Sequence, residues 1–267
     1  MALRLIDTHS HIYDTQFDED RDDVVIRARQ AGIQRLYLPA IDEESYEAMF
    51  ALVRQYRELC RPMMGLHPTS VNDNLGWRAA LDKVASYLAT PPEGIRFYGV
   101  GEVGLDFYWS RDWKDEQVEA LRFQIELALQ YDLPLVVHTR DAWDEMCMLM
   151  QEYAGRGLRG IMHSFCGSVD HYKALKGSGD FLFGIGGPVT YKRSTLPDTL
   201  REIPLAELVL ETDSPYLPPV PYRGKRNESA YVELVALKLA ELYGVTPEEV
   251  AETTTRNALR MFGEDLE

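Results

Sequence analysis

The sequence predicts an α/β fold, a (β/α)₈ TIM barrel, on three observations. Eight short β-rich apolar runs are separated by helix-length amphipathic segments. The 267 residues match the roughly 250 that such a barrel needs. Five of the six histidines stand at or just past the C-terminal end of one of those runs, the rim from which barrels of this kind draw their chemistry.

The runs are Leu3–Thr8, Ile33–Pro39, Pro62–Leu66, Phe97–Val103, Pro134–Thr139, Gly160–Ser164, Phe181–Ile185 and Leu208–Glu211. Their length and β-branched content read as buried strands. Between them, apolar residues recur at three- and four-residue spacing, as in Val24–Val25–Ala28–Ala31 and Val118–Leu121–Ile125–Leu129, which predicts amphipathic helices. Gly32 and Gly94 stand where a helix stops or a strand begins. Repetition of strand and helix implies a parallel sheet. An open doubly wound sheet is the alternative, but no Gly-x-Gly-x-x-Gly turn follows the first strand. Tyr231 to Phe262 reads as two or three further helices covering the barrel, and with no linker in view residues 1–267 are expected to form a single domain.

Composition narrows the function. With 28 basic and 43 acidic residues the formal charge is −15, unlike a protein that coats nucleic acid through its general field. An enzyme that meets phosphate only locally, at cations and a few basic side chains, remains open. Cys60, Cys147 and Cys166 form no disulfide framework or Cys-x-x-Cys motif, which suits a reducing cytoplasm. Residues 1–8 contain no signal-peptide apolar core, and no run approaches the roughly 18–20 apolar residues of a membrane span. No membrane partner and no obligate protein partner is expected.

His9 and His11 lie two apart in Asp7-Thr8-His9-Ser10-His11, so in extended chain both imidazoles can face one ion. Glu102 ends an apolar strand between two glycines, and a buried carboxylate there needs a cation. His138 and His163 each end an apolar strand, and Asp213 follows the eighth. Singly, each has an ordinary structural reading; together they make a metal site, with Asp213 placed to bind an ion and accept a proton from water. Glu211, two residues earlier, is the alternative carboxylate. His67 and Arg140 are rim residues suited to contact a phosphate, and Arg223, Lys225 and Arg226 fall after strand eight, where barrels frequently bind phosphate. Cys166 is expected to be a small buried residue rather than a ligand.

These motifs, together with Gly-Leu-His-Pro at 65–68, Gly-Glu-Val-Gly-Leu-Asp at 101–106, Val-His-Thr-Arg-Asp at 137–141, His-Ser-Phe-Cys-Gly at 163–167, Glu-Thr-Asp-Ser-Pro-Tyr at 211–216 and Tyr222 to Glu228, resemble the TatD family of metal-dependent hydrolases. The resemblance runs from Leu5 to about Phe262. It implies a barrel of the amidohydrolase type holding two divalent ions, zinc, magnesium or manganese. His9, His11 and Asp213 would bind the first, His138 and His163 the second, and Glu102 would bridge them, leaving Asp213 and Glu102 as the catalytic carboxylates. It further implies a DNase, of 3′–5′ exonuclease type, with DNA or another nucleic acid as substrate. Hydrolysis of an amide, an ester such as D-aminoacyl-tRNA or a phosphotriester, and metal binding without catalysis, are the alternatives. Ser10, Ser164, Cys166 and Ser229 depart from the usual pattern without touching an expected ligand. The glycine-rich run Gly184 to Pro188 leaves the pocket beside strand seven open to variation.

Overall fold

A computed structural model describes residues 3–266. The eight expected strands form in order: β1 Leu5–Asp7, β2 Ile33–Pro39, β3 Cys60–Met63, β4 Val100–Asp106, β5 Leu135–Arg140, β6 Arg159–Met162, β7 Asp180–Ile185 and β8 Leu208–Leu210. The main helices between and after them are α1 Arg21–Gln30, α2 Tyr46–Gln55, α3 Trp77–Ala89, α4 Lys114–Gln130, α5 Trp143–Gln151, α6 Val169–Ser178, α7 Leu196–Leu200, α8 Val232–Tyr243 and α9 Pro247–Phe262. Every strand pair is parallel, in one sheet of β1-β2-β3 and another of β4 through β8.

The two sheets meet at both seams by short bridges instead of full ladders. At one seam Gly101 N donates to Met64 O (3.0 Å) and Tyr98 N to Pro62 O (3.0 Å); at the other Thr8 N donates to Leu210 O (3.0 Å). Isolated bridges Met64–Val100 and Ser10–Ser214 lie at the same seams. The result is the TIM-barrel arrangement, with all strand C-termini at one rim.

Two strands differ most from expectation. β3 begins at Cys60, since Leu36 and Tyr37 pair with Cys60 and Arg61. β4 runs on past Val103 to Asp106, where Leu105 and Asp106 pair with Thr139 and Arg140, while its register shifts between Val100 and Val103. Glu102 therefore lies inside a strand, at that irregularity, and not at a strand end. The C-terminal region contains two α-helices after a short 3₁₀ turn at Ser229–Tyr231. No helix among the described residues is long and apolar enough to cross a membrane.

The core has two parts. The larger packs the outward faces of the strands against the helices. The smaller fills the barrel interior with Ile6, Tyr37, Met63, Val136, Ile161, Leu182 and Val209, and Met261 and Phe262 of α9 close its lower end, the Phe262 ring stacked on Tyr37 at 3.7 Å. That interior layer positions what lies above it. Side chains two residues apart on a strand point the same way, so Val136, Ile161 and Val209 place His138, His163 and Glu211 in the next layer, at the mouth.

Candidate metal centre

Six side chains converge at the mouth on the carboxylate of Glu102. Glu102 Oε2 lies 3.2 Å from His9 Nε2 and 3.5 Å from His11 Nε2. Its other oxygen, Oε1, lies 3.0 Å from His138 Nδ1, 3.4 Å from His67 Nε2 and 3.8 Å from His163 Nε2. Asp213 Oδ1 closes the ring, 3.8 Å from His9 Nε2, 3.5 Å from His11 Nε2 and 3.7 Å from His163 Nε2. His9, His11, Glu102 and His163 are buried, whereas Asp213 and His138 are open to the cleft.

These donor sets fit a divalent cation. His9, His11 and Asp213 form one group, His9, Glu102 and His163 a second, and His67, Glu102 and His138 a third, each with ligand atoms within 4.8 Å of one another. Ligands about 2.1 Å from a tetrahedral ion stand about 3.4 Å apart, and the separations above cluster around that value. Mixed imidazole and carboxylate donors suit zinc, manganese and related ions.

His11, His163 and His138 are each held from behind, whereas His9 Nδ1 is buried without a hydrogen-bond partner. Tyr13 donates its hydroxyl to Pro39 O (2.5 Å), so it must accept from His11 Nδ1 at 2.9 Å. His11 thereby carries its proton on Nδ1 and turns the Nε2 lone pair toward Asp213 and Glu102. His163 faces Glu211 Oε1 with Nδ1 at 3.0 Å, and Ser164 N donates to the same oxygen (2.7 Å). His138 Nε2 meets Asp106 Oδ2 at 3.0 Å. Asp7 lies behind the first strand's end, accepting from Thr212 N (2.9 Å), Thr212 Oγ1 (2.6 Å) and His9 N (3.3 Å). Asp213 itself sits at positive φ (59°), a conformation Asp tolerates, with its N–H donated to His9 O (2.9 Å).

The electrostatics follow from burial and this crowding. Burial and the nearby His163 charge push His9 down to about 4. Burial also lowers His138 and His163, but the carboxylates win: Asp106 and Glu102 lift His138 to about 9, and Glu211 and Asp213 lift His163 to about 10. Burial alone would raise Glu102, yet the charges of His9 and His67 hold it well below the usual carboxylate range. Burial pushes Asp7 up to about 7 against its hydrogen bonds. A divalent cation would neutralise these carboxylates in the same way as the imidazoles around them.

The centre opens into a cleft of about 650 Å³ lined by His11, His67, Glu102, Asp106, His138, His163 and Asp213, with Trp109, Arg140, Cys166 and Tyr216 around its mouth. A second cleft, of about 590 Å³, lies against α9 and carries no imidazole. Of the residues expected to touch substrate, His67 and Arg140 line the first cleft, and His67 also stands within the donor cluster. Arg223, Lys225 and Arg226 do not line it. Arg223 lies over the Tyr191 ring (4.3 Å), Lys225 over Tyr222 (5.9 Å), and Arg226 donates to both carboxylate oxygens of Asp20 (2.8 and 2.7 Å) and to Gln16 O (2.7 Å). Cys166, expected to be buried, is exposed and lines the cleft, beyond the end of β6 at Met162. Sequence reasoning gave no role to Tyr13 or Asp7, left that of Asp106 open, and set Glu211 aside for Asp213.

A family model described as TatD related DNase matches residues 6–263. The chain belongs to the TatD family. This TatD-family chain is 35% identical over 263 residues to YabD of Bacillus subtilis, described as an uncharacterized metal-dependent hydrolase, with 97% of this chain and 98% of that protein covered. It is 31% identical over 265 residues to a protein of Shigella flexneri named 3′-5′ ssDNA/RNA exonuclease TatD, covering 97% and 99%. The crystal structure of YjjV, a TatD homologue from Escherichia coli K12, superposes with a TM-score of 0.89 at 30% identity, covering 99% of this chain and 100% of that one. A metal-dependent hydrolase on a TIM-barrel frame is thus what sequence, fold and site have in common.

Proposed function

We propose that this TatD-family hydrolase is a nuclease that removes nucleotides from DNA ends in the 3′–5′ direction, using two divalent cations. The observation that carries the reading is the division of Glu102. One oxygen faces His9 and His11, the other faces His138, His67 and His163. A carboxylate presented to two imidazole groups in this way suits a bridge between two ions. His9, His11 and Asp213 would hold the first ion, and His138 and His163 the second, with His67 close enough to join it. Bound cations supply Lewis acidity toward a phosphoryl oxygen and offset the charge that develops on it.

The chain's own residues do the rest. Asp213 reaches the cleft while touching the first imidazole pair, so its carboxylate is placed to accept the proton of an attacking water. Arg140 stands at the cleft mouth with donors available for a phosphate oxygen. The exonuclease name of the Shigella relative supports a nucleic-acid substrate. The test is end-labelled single- and double-stranded DNA with Mg²⁺, Mn²⁺ or Zn²⁺, set beside D-aminoacyl-tRNA. Shortening of DNA from the 3′ end, abolished by a chelator, is expected. Glu102→Ala is expected to cost more than the roughly 10–100-fold typical of losing an outer partner of a ligand. DNA left intact under all three metals overturns the proposal.

A further inference from the structure

The cleft mouth carries aromatic surface that the fold does not use. Tyr108 and Trp109 follow β4 in the loop toward α4 and are 52% and 68% exposed. Their rings stand edge to face, centroids 4.9 Å apart. Arg140, at the end of β5, lays its guanidinium 3.6 Å over Tyr108 and 5.6 Å from Trp109. Among the described residues no carboxylate or carbonyl engages that guanidinium, whereas its neighbour Arg111 reaches Glu145 and the carbonyl of Asp141. The loop is pinned to the centre: Tyr108 N donates to Asp106 Oδ1 (3.0 Å), and Asp106 Oδ2 holds His138. Trp109, Arg140 and Tyr216, the last 45% exposed, all line the cleft.

A large indole left in water forfeits the burial that usually places it inside. A flat π-face beside a cation with free donors, one loop away from a candidate phosphodiester centre, matches a nucleotide in chemistry: the base can stack while the phosphate meets the guanidinium. Local positive charge on a chain of net charge −15 confines this attraction to the mouth.

We propose that Trp109, with Tyr108 and Arg140, is a stacking platform for the nucleobase at the end of a single strand. The inference rests on the nuclease reading, and two measurements separate them. In the first, the full chain with Mn²⁺ cleaves single strands ending in an ordinary nucleotide or in an abasic residue. Wild type is expected to favour the base-bearing end by about tenfold in kcat/KM. Trp109→Ala should lose that preference and Trp109→Phe, which keeps a flat ring, should retain most of it. In the second, read without turnover, deoxyadenosine 5′-monophosphate should quench tryptophan fluorescence in wild type but not in Trp109→Phe. Equal rates on both ends, with DNA still cut, overturn the platform and leave the nuclease reading standing, as does a preference that survives Trp109→Ala. DNA left intact alongside Trp109-dependent quenching keeps the platform and overturns the nuclease reading.

Discussion

His163 can present one nitrogen to an ion only while the other is held by a group that fixes the ring, and Glu211 fills that place at 3.0 Å. Glu211→Gln keeps the shape and removes the charge behind the ring. Metal affinity, measured by competition with a chelating dye, is expected to fall about 10–100-fold with the far-ultraviolet circular dichroism unchanged; an unaltered affinity would deny Glu211 an orienting role. The ligand-type residues at this rim were legible because imidazoles are rare and five of the six fall at strand ends. Their supports were not. Glu211 follows Val209 by two and shares its inward face, a periodicity present in the sequence, but deciding between it and Asp213 needed the strand's end at Leu210. Tyr13 and Asp106 are ordinary residues until the hydrogen bonds to His11 and His138 are seen.

Strand β7 shows the same dependence at the scale of an element. From sequence its glycine-rich end only leaves the neighbouring pocket open to variation. In space Gly184 sits two beyond the inward-facing Leu182, and a Cβ there would stand 2.0 Å from Glu211 Oε2. The missing side chain is the room that Glu211 occupies. Gly184→Ala therefore overpacks the mouth, at a cost of about 1–3 kcal/mol, and should lower the melting temperature by about 2–12 °C while weakening metal binding with it. Gly177, near the end of α6, has open space where a Cβ would go. Gly177→Ala is expected to move the other way, raising stability by up to about 1 kcal/mol. Thermal denaturation of the two variants side by side is the check, and the same sign for both would contradict this account. Strand count and order were legible because each run is apolar and bounded by turns. The extension of β4 to Asp106 was not, since it depends on pairing with Thr139 and Arg140 across 30 or more residues of chain.

At the scale of the molecule, charge is spent on holding the barrel's last loop as well as on the mouth. Arg226 spans from the loop after β8 to Asp20 before α1, and Arg27 of α1 joins Asp20 (3.3 Å) to Glu228 (2.8 Å). The Arg226 guanidinium also lies over the Phe17 ring at 4.4 Å. With both of its forked donors directed at Asp20, Arg226 ties the two chain segments that flank the β8–β1 seam. The hydrogen bonds from Arg226 hold Asp20 below the usual carboxylate range. A depressed folded-state value means that the ionised pair stabilises the fold above the unfolded value of about 4, and that this contribution is lost as pH falls through the lower folded value. Both partners are partly exposed, so solvent screening keeps the effect small. Arg226→Ala is expected to lower the melting temperature at pH 7 by about 1–4 °C, and the gap to wild type should close as Asp20 protonates at acid pH. DNA affinity should change little, in contrast to Arg140→Ala, whose guanidinium faces the cleft. A temperature gap that persists undiminished in acid would show that Arg226 acts through packing on Phe17, and a loss of DNA affinity matching that of Arg140→Ala would return the loop to the substrate path.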